Sequence, residues 1–393
     1  MPASPEWLEP PLQITETSVV PGVRTASHGG DWLRNPRSSG KYLLGGPRSM
    51  FLIKQPASRP ALLAILLTWG FGPPTSNAQT FALTDATALV PVNVQATAAE
   101  YKGRKAVLIT KDPAKGGGFA LLKGVDFQDG TIEGEIALKI TAPPGPPGVR
   151  PSPGFVGIAF RARPDASHYE LFYLRPGNST SDDQSMRNHS VQYSYEPDQG
   201  WLKLRRQWPW LYETWADLKM ETWTKIKIEV RGRSAKLFLN GSEQPSLVVD
   251  GLKGNDLRGG IALWSYPDQE AYFSNLRIVS SSPVPVKNGS EAAGSWHVTS
   301  VGDAIGFQGA LQLKREGDKL TGDWSGASGK ARSVTGTWRN GYIELSFDAE
   351  LGNPANPIIA PAILAGWIDG DAGSGRMRVV DRTEGRWTAV RKP

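Results

Sequence analysis

Apolar and polar residues alternate along much of the chain after residue 130, with the two-residue period of a strand that has one buried face. In the segment 131–140, apolar side chains at 132, 136, 138 and 140 share one face, and charged side chains at 133, 135 and 139 share the other. Similar segments follow at 155–163, 168–175, 190–196, 222–231, 234–240, 259–264 and 271–279. Many short strands separated by turn residues predict an all-β fold, with an antiparallel, jelly-roll-like β-sandwich over residues 79–280.

The last hundred residues repeat a smaller unit, in which a glycine stands two positions before a tryptophan. The unit occurs at 294–296, 322–324, 336–338 and 385–387, and a Gly-Trp variant at 366–367 fills the remaining interval. Eight candidate strands fit between Gly294 and Arg391. Regular short strands with a repeated glycine and aromatic residue predict a small up-and-down β-barrel over residues 294–393.

Between these two regions the chain has no hydrophobic period. Residues 281–293 contain two prolines, three serines and a glycine, which is typical of a linker. The sequence therefore predicts two domains, with independent cores, joined at 281–293.

The segment 50–78 has the three-part form of a secretory signal. Lys54 and Arg59 precede an apolar run from Ala61 to Trp69, and small residues at 76 and 78 predict cleavage before Gln79. The run is shorter than the about 20 apolar residues that span a bilayer, so no membrane span is expected in the mature chain. Residues 1–49 do not fit a signal and are interpreted as a disordered extension or as a mis-assigned leader. We expect a secreted or periplasmic protein.

Composition narrows the classes of function. The 393 residues include no cysteine, which excludes disulfides, thiolate metal sites and thiol catalysis. Removal of residues 1–78 lowers the net charge from +6 to +3, so the charge indicates no particular partner. Export without cysteine fits a bacterial protein better than a eukaryotic secretory route.

Three stretches of the sandwich region resemble the concanavalin A-like lectin and glucanase superfamily. They are FQDGTIEGE at 127–135, GIAFRA and YELFYLRP at 157–162 and 169–176, and WTKIKIEV and AKLFLNG at 223–230 and 235–241. The chain is most similar to laminin-G-like modules and to the 3-keto-disaccharide hydrolase domains of secreted bacterial proteins. The resemblance implies a two-sheet sandwich, and it leaves the activity open because the superfamily includes lectins, hydrolases and adhesion modules.

The barrel region carries a shorter motif. Gly294-Ser295-Trp296 resembles the first-strand Gly-x-Trp of the calycin barrels, which include the lipocalins. The resemblance implies that Arg391, near the end of the last strand, stacks on Trp296 as a cation–π pair. The barrel is interpreted either as a support that packs against the sandwich or as a cup for a ligand.

The richest set of polar groups lies at 187–193, where a polar loop enters a strand. It supplies a cation, two amides, an imidazole and a phenol, and polar residues of earlier strands are expected to converge with it. Such groups around an aromatic platform suit a polysaccharide or oligosaccharide, whereas the alternative is a network that ties the loop to the sheet. The predicted ligand-binding residues are Arg161, Tyr173, Arg175, Arg187, Asn188, Gln192, Tyr193 and Trp208.

Trp208 belongs to a segment, 201–215, in which aromatic and basic residues are interleaved. Such residues stack sugar rings or nucleobases. Residues 187–225 hold six Lys/Arg against five Asp/Glu, which does not make an electrostatic groove for phosphates, so no nucleic-acid partner is expected. The alternative is a loop folded over the edge of the sandwich.

His189 and Glu170 are the predicted catalytic residues if the protein is an enzyme. His189 lies in a polar setting that suits a general base, with Tyr193 nearby, and Glu170 is a lone acid. The Glu-x-Asp-x-x-Glu signature of the related glucanases is absent, and Glu133 and Glu135 have the spacing of ordinary surface residues on a strand.

No cofactor is expected, with calcium as the one possible ion. Asp182 and Asp183 offer the carboxylates that calcium prefers, but two adjacent acids define no complete ligand set.

The leading hypothesis for function is a secreted, lectin-like carbohydrate-binding protein. The first alternative is a hydrolase or lyase that acts on glycans in the same cleft. The second alternative is a module that binds another protein.

Overall fold

The computed structural model describes residues 78–393 apart from 113, 116–117, 142, 144–145, 147–148, 287–288 and 302–307. The predicted leader and all but the last residue of the predicted signal segment lie outside these residues. Strands dominate the described part and all sheets are antiparallel, which confirms the all-β class.

The first region contains fifteen strands and three short helices. The strands are β1 (Ala78–Phe81), β2 (Leu89–Val92), β3 (Val94–Tyr101), β4 (Arg104–Lys111), β5 (Phe119–Leu122), β6 (Gly130–Ile140), β7 (Val156–Ala162), β8 (Tyr169–Leu174), β9 (Val191–Glu196), β10 (Glu213–Thr214), β11 (Thr224–Arg231), β12 (Ser234–Leu239), β13 (Leu247–Val249), β14 (Gly260–Ser265) and β15 (Gln269–Ser280). The helices are α1 (Pro176–Ser179), α2 (Gln184–Arg187) and α3 (Trp201–Gln207).

These strands form the two sheets of a sandwich. One sheet has the order β13-β12-β11-β6-β15-β4-β3, with β1 paired to β15, and the other has the order β10-β9-β8-β7-β14-β5-β2. Their inner faces supply one apolar core, in which Ile132 and Phe273 of the first sheet pack with Phe160 and Phe172 of the second. The alternation seen in the sequence therefore identifies the buried faces.

The last region is a closed, eight-stranded, up-and-down barrel, as predicted. Its strands are β16 (Gly294–Val301), β17 (Gln308–Glu316), β18 (Lys319–Ser325), β19 (Ala331–Arg339), β20 (Tyr342–Leu351), β21 (Ile358–Asp369), β22 (Ala372–Val379) and β23 (Thr383–Arg391). Trp296, Trp324 and Trp387 are each about 1% exposed and fill its interior. The guanidinium carbon of Arg391 lies 4.2 Å from the ring centroid of Trp296, which confirms the expected pair.

The barrel packs directly against the sandwich. Tyr342, Ala365 and Trp367 point out of the barrel into the apolar cluster of the sandwich, and the Trp367 indole donates to the backbone oxygen of Leu252 at 3.0 Å. The linker also follows the sandwich surface, because the Val284 amide donates to a carboxylate oxygen of Asp129 at 2.7 Å. The two regions share apolar contacts, and their independent folding stays a prediction.

Candidate functional site

The outer face of the seven-stranded sheet, which is turned away from the sandwich core, carries a cluster of aromatic rings. We call it the outer aromatic cluster, and its members are Phe119, Phe155, Tyr169, Tyr173, Trp264 and Tyr266. Alternate residues of β8 and β14 point away from the core, which places their rings side by side. Ring centroids lie 5.3 Å apart for Tyr173 and Trp264, and 4.9 Å apart for Phe155 and Tyr266.

Arg175 borders this cluster and connects it to the polar segment of β9. Its guanidinium donates to Tyr173 Oη at 2.7 Å, to the backbone oxygen of His189 at 2.9 Å and to Gln192 Oε1 at 3.3 Å. The guanidinium carbon also lies 5.7 Å from the ring centroid of Trp201. Burial raises the pKa of Tyr173 to about 12, so this phenol is neutral and available as a hydrogen-bonding group.

Glu196 lies on the same face of β9 as Gln192, four residues further along the strand. It pairs in register with Tyr169 of the outer aromatic cluster. Burial raises the pKa of Glu196, because few polar groups offset the loss of water around its carboxyl. The face therefore includes a carboxyl group that holds its proton more strongly than an exposed glutamate.

The edge strand β10 adds a charged group beside the cluster. Glu213 pairs in register with Gln192, and Arg205 of α3 donates to both of its carboxylate oxygens at 2.9 and 2.8 Å. His189 Nδ1 lies 2.9 Å from Glu213 Oε2. Although burial acts to raise it, these contacts from His189 and Arg205 hold the pKa of Glu213 below its usual value.

Two tryptophans extend the arrangement toward solvent. Trp201 is half-buried between Arg175 and Arg205, whose guanidinium carbons lie 5.7 and 4.6 Å from its ring centroid. Trp210 is 58% exposed and stacks on the His189 ring at 5.7 Å. We call the following set the outer-face site: Tyr169, Tyr173, Arg175, Gln192, Glu196, Trp201 and Trp264.

The structure brings together four of the predicted site residues, which are Tyr173, Arg175, His189 and Gln192. It places three others, Arg161, Glu170 and Tyr193, on the opposite side of the sheet, inside the sandwich. Tyr193 Oη donates to Glu170 Oε2 at 2.6 Å, and the Gly254 amide donates to Glu170 Oε1 at 2.8 Å. Burial raises the pKa of Glu170. The expectation that Tyr193 meets Gln192 at one edge is wrong, because neighbouring residues of a strand point to opposite faces.

Arg161 faces inward because of a local irregularity in its strand. The pairing of β7 with β14 shifts register between Gly260 and Ala262, and Arg161 has a φ of 48° at that point. Its side chain donates to Asp129 Oδ1 at 2.9 Å and to the backbone oxygen of Gly232 at 2.7 Å. Asp129 is 1% exposed, so the two residues form a buried ion pair.

The other predicted residues lie outside the outer-face site. Trp208 is 3% exposed in the sandwich core. Asn188 Oδ1 accepts from Gln184 Nε2 at 2.9 Å, and the Arg187 guanidinium lies 5.8 Å from the ring centroid of Trp215. Their roles in binding stay predictions, as do the catalytic roles of His189 and Glu170.

Residues that the sequence analysis did not identify contribute much of the arrangement. Glu196 and Trp201 were not selected, although Glu196 shares the alternation of Gln192. Trp264 was read only as part of a strand, because a tryptophan with polar neighbours on one face looks like a core residue in a sequence. The signal was present for Glu196 and absent for the aromatic cluster.

The described residues contain no group of three or more His, Asp or Glu placed to hold a metal ion. Asp183 instead caps α2, where its side chain accepts from the Ser185 amide at 2.8 Å. The calcium expectation stays untested. No helix in the described part of the chain is long and apolar enough to cross a membrane.

None of the protein families compared with the chain matches it, and no curated protein does. Among solved structures, it is similar to carbohydrate-binding module CBM66 from Bacillus subtilis, with 18% identity and a TM-score of 0.33 over 49% of this chain and 96% of that one. A Bacillus subtilis protein of unknown function with a galectin-like fold gives 8% identity and a TM-score of 0.35, over 52% and 96%. Domain 4 of an extracellular arabinanase from Geobacillus stearothermophilus, solved with arabinotriose, gives 14% identity and a TM-score of 0.27, over 53% and 84%. These low scores do not bear on the ligand of this chain.

Proposed function

We propose that this protein binds carbohydrate at the outer-face site. One observation carries the proposal: aromatic rings and hydrogen-bonding groups share a single face of the seven-stranded sheet. The rings of Tyr173 and Trp264 lie beside Arg175 and Gln192, which supply donors and an acceptor. A sugar presents an apolar ring face and a rim of hydroxyls, so it matches such a mixture of groups.

The residues at the open end of the site are those best placed to contact a ligand. Trp201 and Glu196 are half-buried, whereas Tyr173, Gln192 and Arg175 are each below 5% exposed. We infer that Trp201 stacks on a sugar ring and that Glu196 hydrogen-bonds its hydroxyls. The more buried residues hold this rim in position through the hydrogen bonds of Arg175.

At a finer level, we propose an exported lectin-like protein of the concanavalin A-like superfamily, followed by a calycin-like barrel. The three resembling stretches and the two antiparallel sheets support the sandwich assignment. The pair of Trp296 and Arg391 supports the barrel assignment. Export rests on the sequence of residues 50–78 alone.

A glycan-active hydrolase or lyase is the second candidate, and the two carboxyls of the outer face favour it. Burial raises the pKa of Glu196, whereas Arg205 and His189 lower that of Glu213. Two carboxyls whose pKa values are shifted in opposite directions are suited to acid and base roles. Tyr173 lies within the electrostatic influence of both.

The test is a glycan array followed by a sugar-release assay on every glycan that binds. Binding without release supports the carbohydrate-binding protein. Release that is abolished by Glu196→Gln supports the enzyme. The absence of any bound glycan, together with capture of a protein ligand, supports the third hypothesis, a protein-interaction module.

A further inference from the structure

A cavity of about 360 Å³ lies where the barrel packs against the sandwich. The sandwich contributes residues 231–234 and 250–253, the linker contributes Val284 to Val286, and the barrel contributes Tyr342, Trp367 and their neighbours. None of the residues of the outer-face site lines it. Its volume falls within the range of pockets that hold small molecules, about 300–1,000 Å³.

Positive charge predominates in the lining of this cavity. Four cationic side chains line it, against two carboxylates, Asp250 and Asp369. The cations are Arg231, Arg233, Lys253 and Arg376. Asp250 is already shared between two guanidiniums, since it accepts from Arg376 at 3.1 Å and lies 2.8 Å from Arg386. The excess charge favours an anionic ligand.

Lys253 is the most unusual of these cations because it is only 5% exposed. Its ammonium donates to the Tyr342 hydroxyl and lies 4.7 and 5.1 Å from the ring centroids of Tyr342 and Tyr212. Within the described residues, no carboxylate oxygen approaches it within 4.0 Å. Burial lowers the pKa of Lys253 to about 8, as expected for an ammonium that lacks an anionic partner.

The cavity also offers space and hydroxyl acceptors close to Lys253. A Cβ placed on Gly251 would meet no heavy atom within 4 Å, so the backbone there borders open space. The Asp369 side chain is 40% exposed and lies 3.8 Å from Arg233, which leaves carboxylate oxygen surface available to hydroxyl donors.

We propose that this cavity is a second binding site, for a sugar acid of monosaccharide size whose carboxylate pairs with Lys253 and whose hydroxyls meet Asp369. An ammonium carries three donors, of which Tyr342 accepts one, so a carboxylate completes its hydrogen bonding. A monoanion with hydroxyls matches a lining that combines excess cations with acceptors better than a bare inorganic anion does. The site is independent of the outer-face site.

The test is calorimetric titration of the full chain with glucuronate and galacturonate, and with glucose and galactose as neutral counterparts. Inorganic sulfate and phosphate form a separate arm that detects a general anion site. The variants are Lys253→Met, which removes the ammonium, and Gly251→Leu, which fills open space. Lys227→Met is the matched control, because Lys227 lies on the outer face of the eight-stranded sheet beside Phe238 and outside this cavity.

We expect one of the two sugar acids to bind and its neutral counterpart not to bind. Lys253→Met and Gly251→Leu should each weaken binding roughly ten- to a hundredfold, the effect of losing a charged hydrogen bond. Lys227→Met and Trp201→Ala should leave it unchanged. The proposal is overturned if neither sugar acid binds, if Lys253→Met binds as well as the natural chain, or if sulfate or phosphate binds as tightly as the sugar acid.

Discussion

Replacing Lys253 by methionine should change how the stability of the protein depends on pH. Burial lowers the pKa of Lys253 to about 8, against 10.5 for an unperturbed lysine. Below pH 8 the ammonium is charged in both the folded and unfolded states. Between pH 8 and 10.5 the folded state releases the proton while the unfolded state keeps it, so the stability of the natural chain rises with pH.

The magnitude follows from the shift in pKa. At about 1.36 kcal/mol per unit, the natural chain should gain about 2.5 kcal/mol relative to Lys253→Met between pH 7 and pH 10. The other charges that influence Lys253, those of Glu344, Lys203, Glu170 and Asp250, are present in both proteins. Burial raises the pKa values of Tyr342 and Tyr212, so their phenols stay neutral over this range.

The assay is urea unfolding at pH 7, 8, 9 and 10, followed by tryptophan fluorescence, with Lys227→Met as the control. Lost contacts shift the stability of Lys253→Met by an amount that does not depend on pH, so the change in the difference isolates the titration. A difference in unfolding free energy that stays constant from pH 7 to pH 10 would refute the burial of an unpaired ammonium.

Three further outcomes are expected. Trp296→Ala removes a side chain that is about 1% exposed and should destabilise the barrel by about 3–5 kcal/mol, measured by thermal unfolding of the full chain; an unchanged melting temperature would contradict its place in the barrel core. Tyr193→Phe leaves the Glu170 carboxyl and the Lys253 amide without their shared hydroxyl and should lower the unfolding free energy by about 1–3 kcal/mol without changing glycan affinity, whereas reduced affinity with unchanged stability would place Tyr193 in a binding site. N-terminal sequencing of exported protein should begin at Gln79, and exported protein that retains Met50 would rule out the predicted cleavage.

Strand faces were predictable because the side chains of a strand alternate with a fixed period. The sequence placed Gln192 and Ser194 on one face of a strand and Val191 and Tyr193 on the other, and β9 has that arrangement. The eight strands of the barrel were predictable for the same reason, helped by the repeated glycine and tryptophan. Both features depend only on residues close together in the chain.

The membership of the candidate site was less predictable, because it depends on contacts between distant segments. The inward turn of Arg161 follows from a bulge between β7 and β14, which the alternation of either strand alone does not reveal. The proximity of Glu213 to His189 depends on the pairing of β10 with β9 across a loop that contains α3. The cavity beside Lys253 requires the docking of the barrel, which no local pattern encodes.

The central claim is that the outer-face site binds a glycan, and one comparison of affinities tests it most directly. Trp201→Ala removes a half-buried ring beside Arg175, and Trp223→Ala removes a half-buried ring near Tyr101 on the other sheet. Loss of a stacking ring should weaken binding of an array-selected glycan about tenfold or more, at about 1–3 kcal/mol per ring. Calorimetric titration should show this loss for Trp201→Ala and unchanged affinity for Trp223→Ala. Equal affinities in the natural chain and in Trp201→Ala, with the fold intact, would contradict the claim.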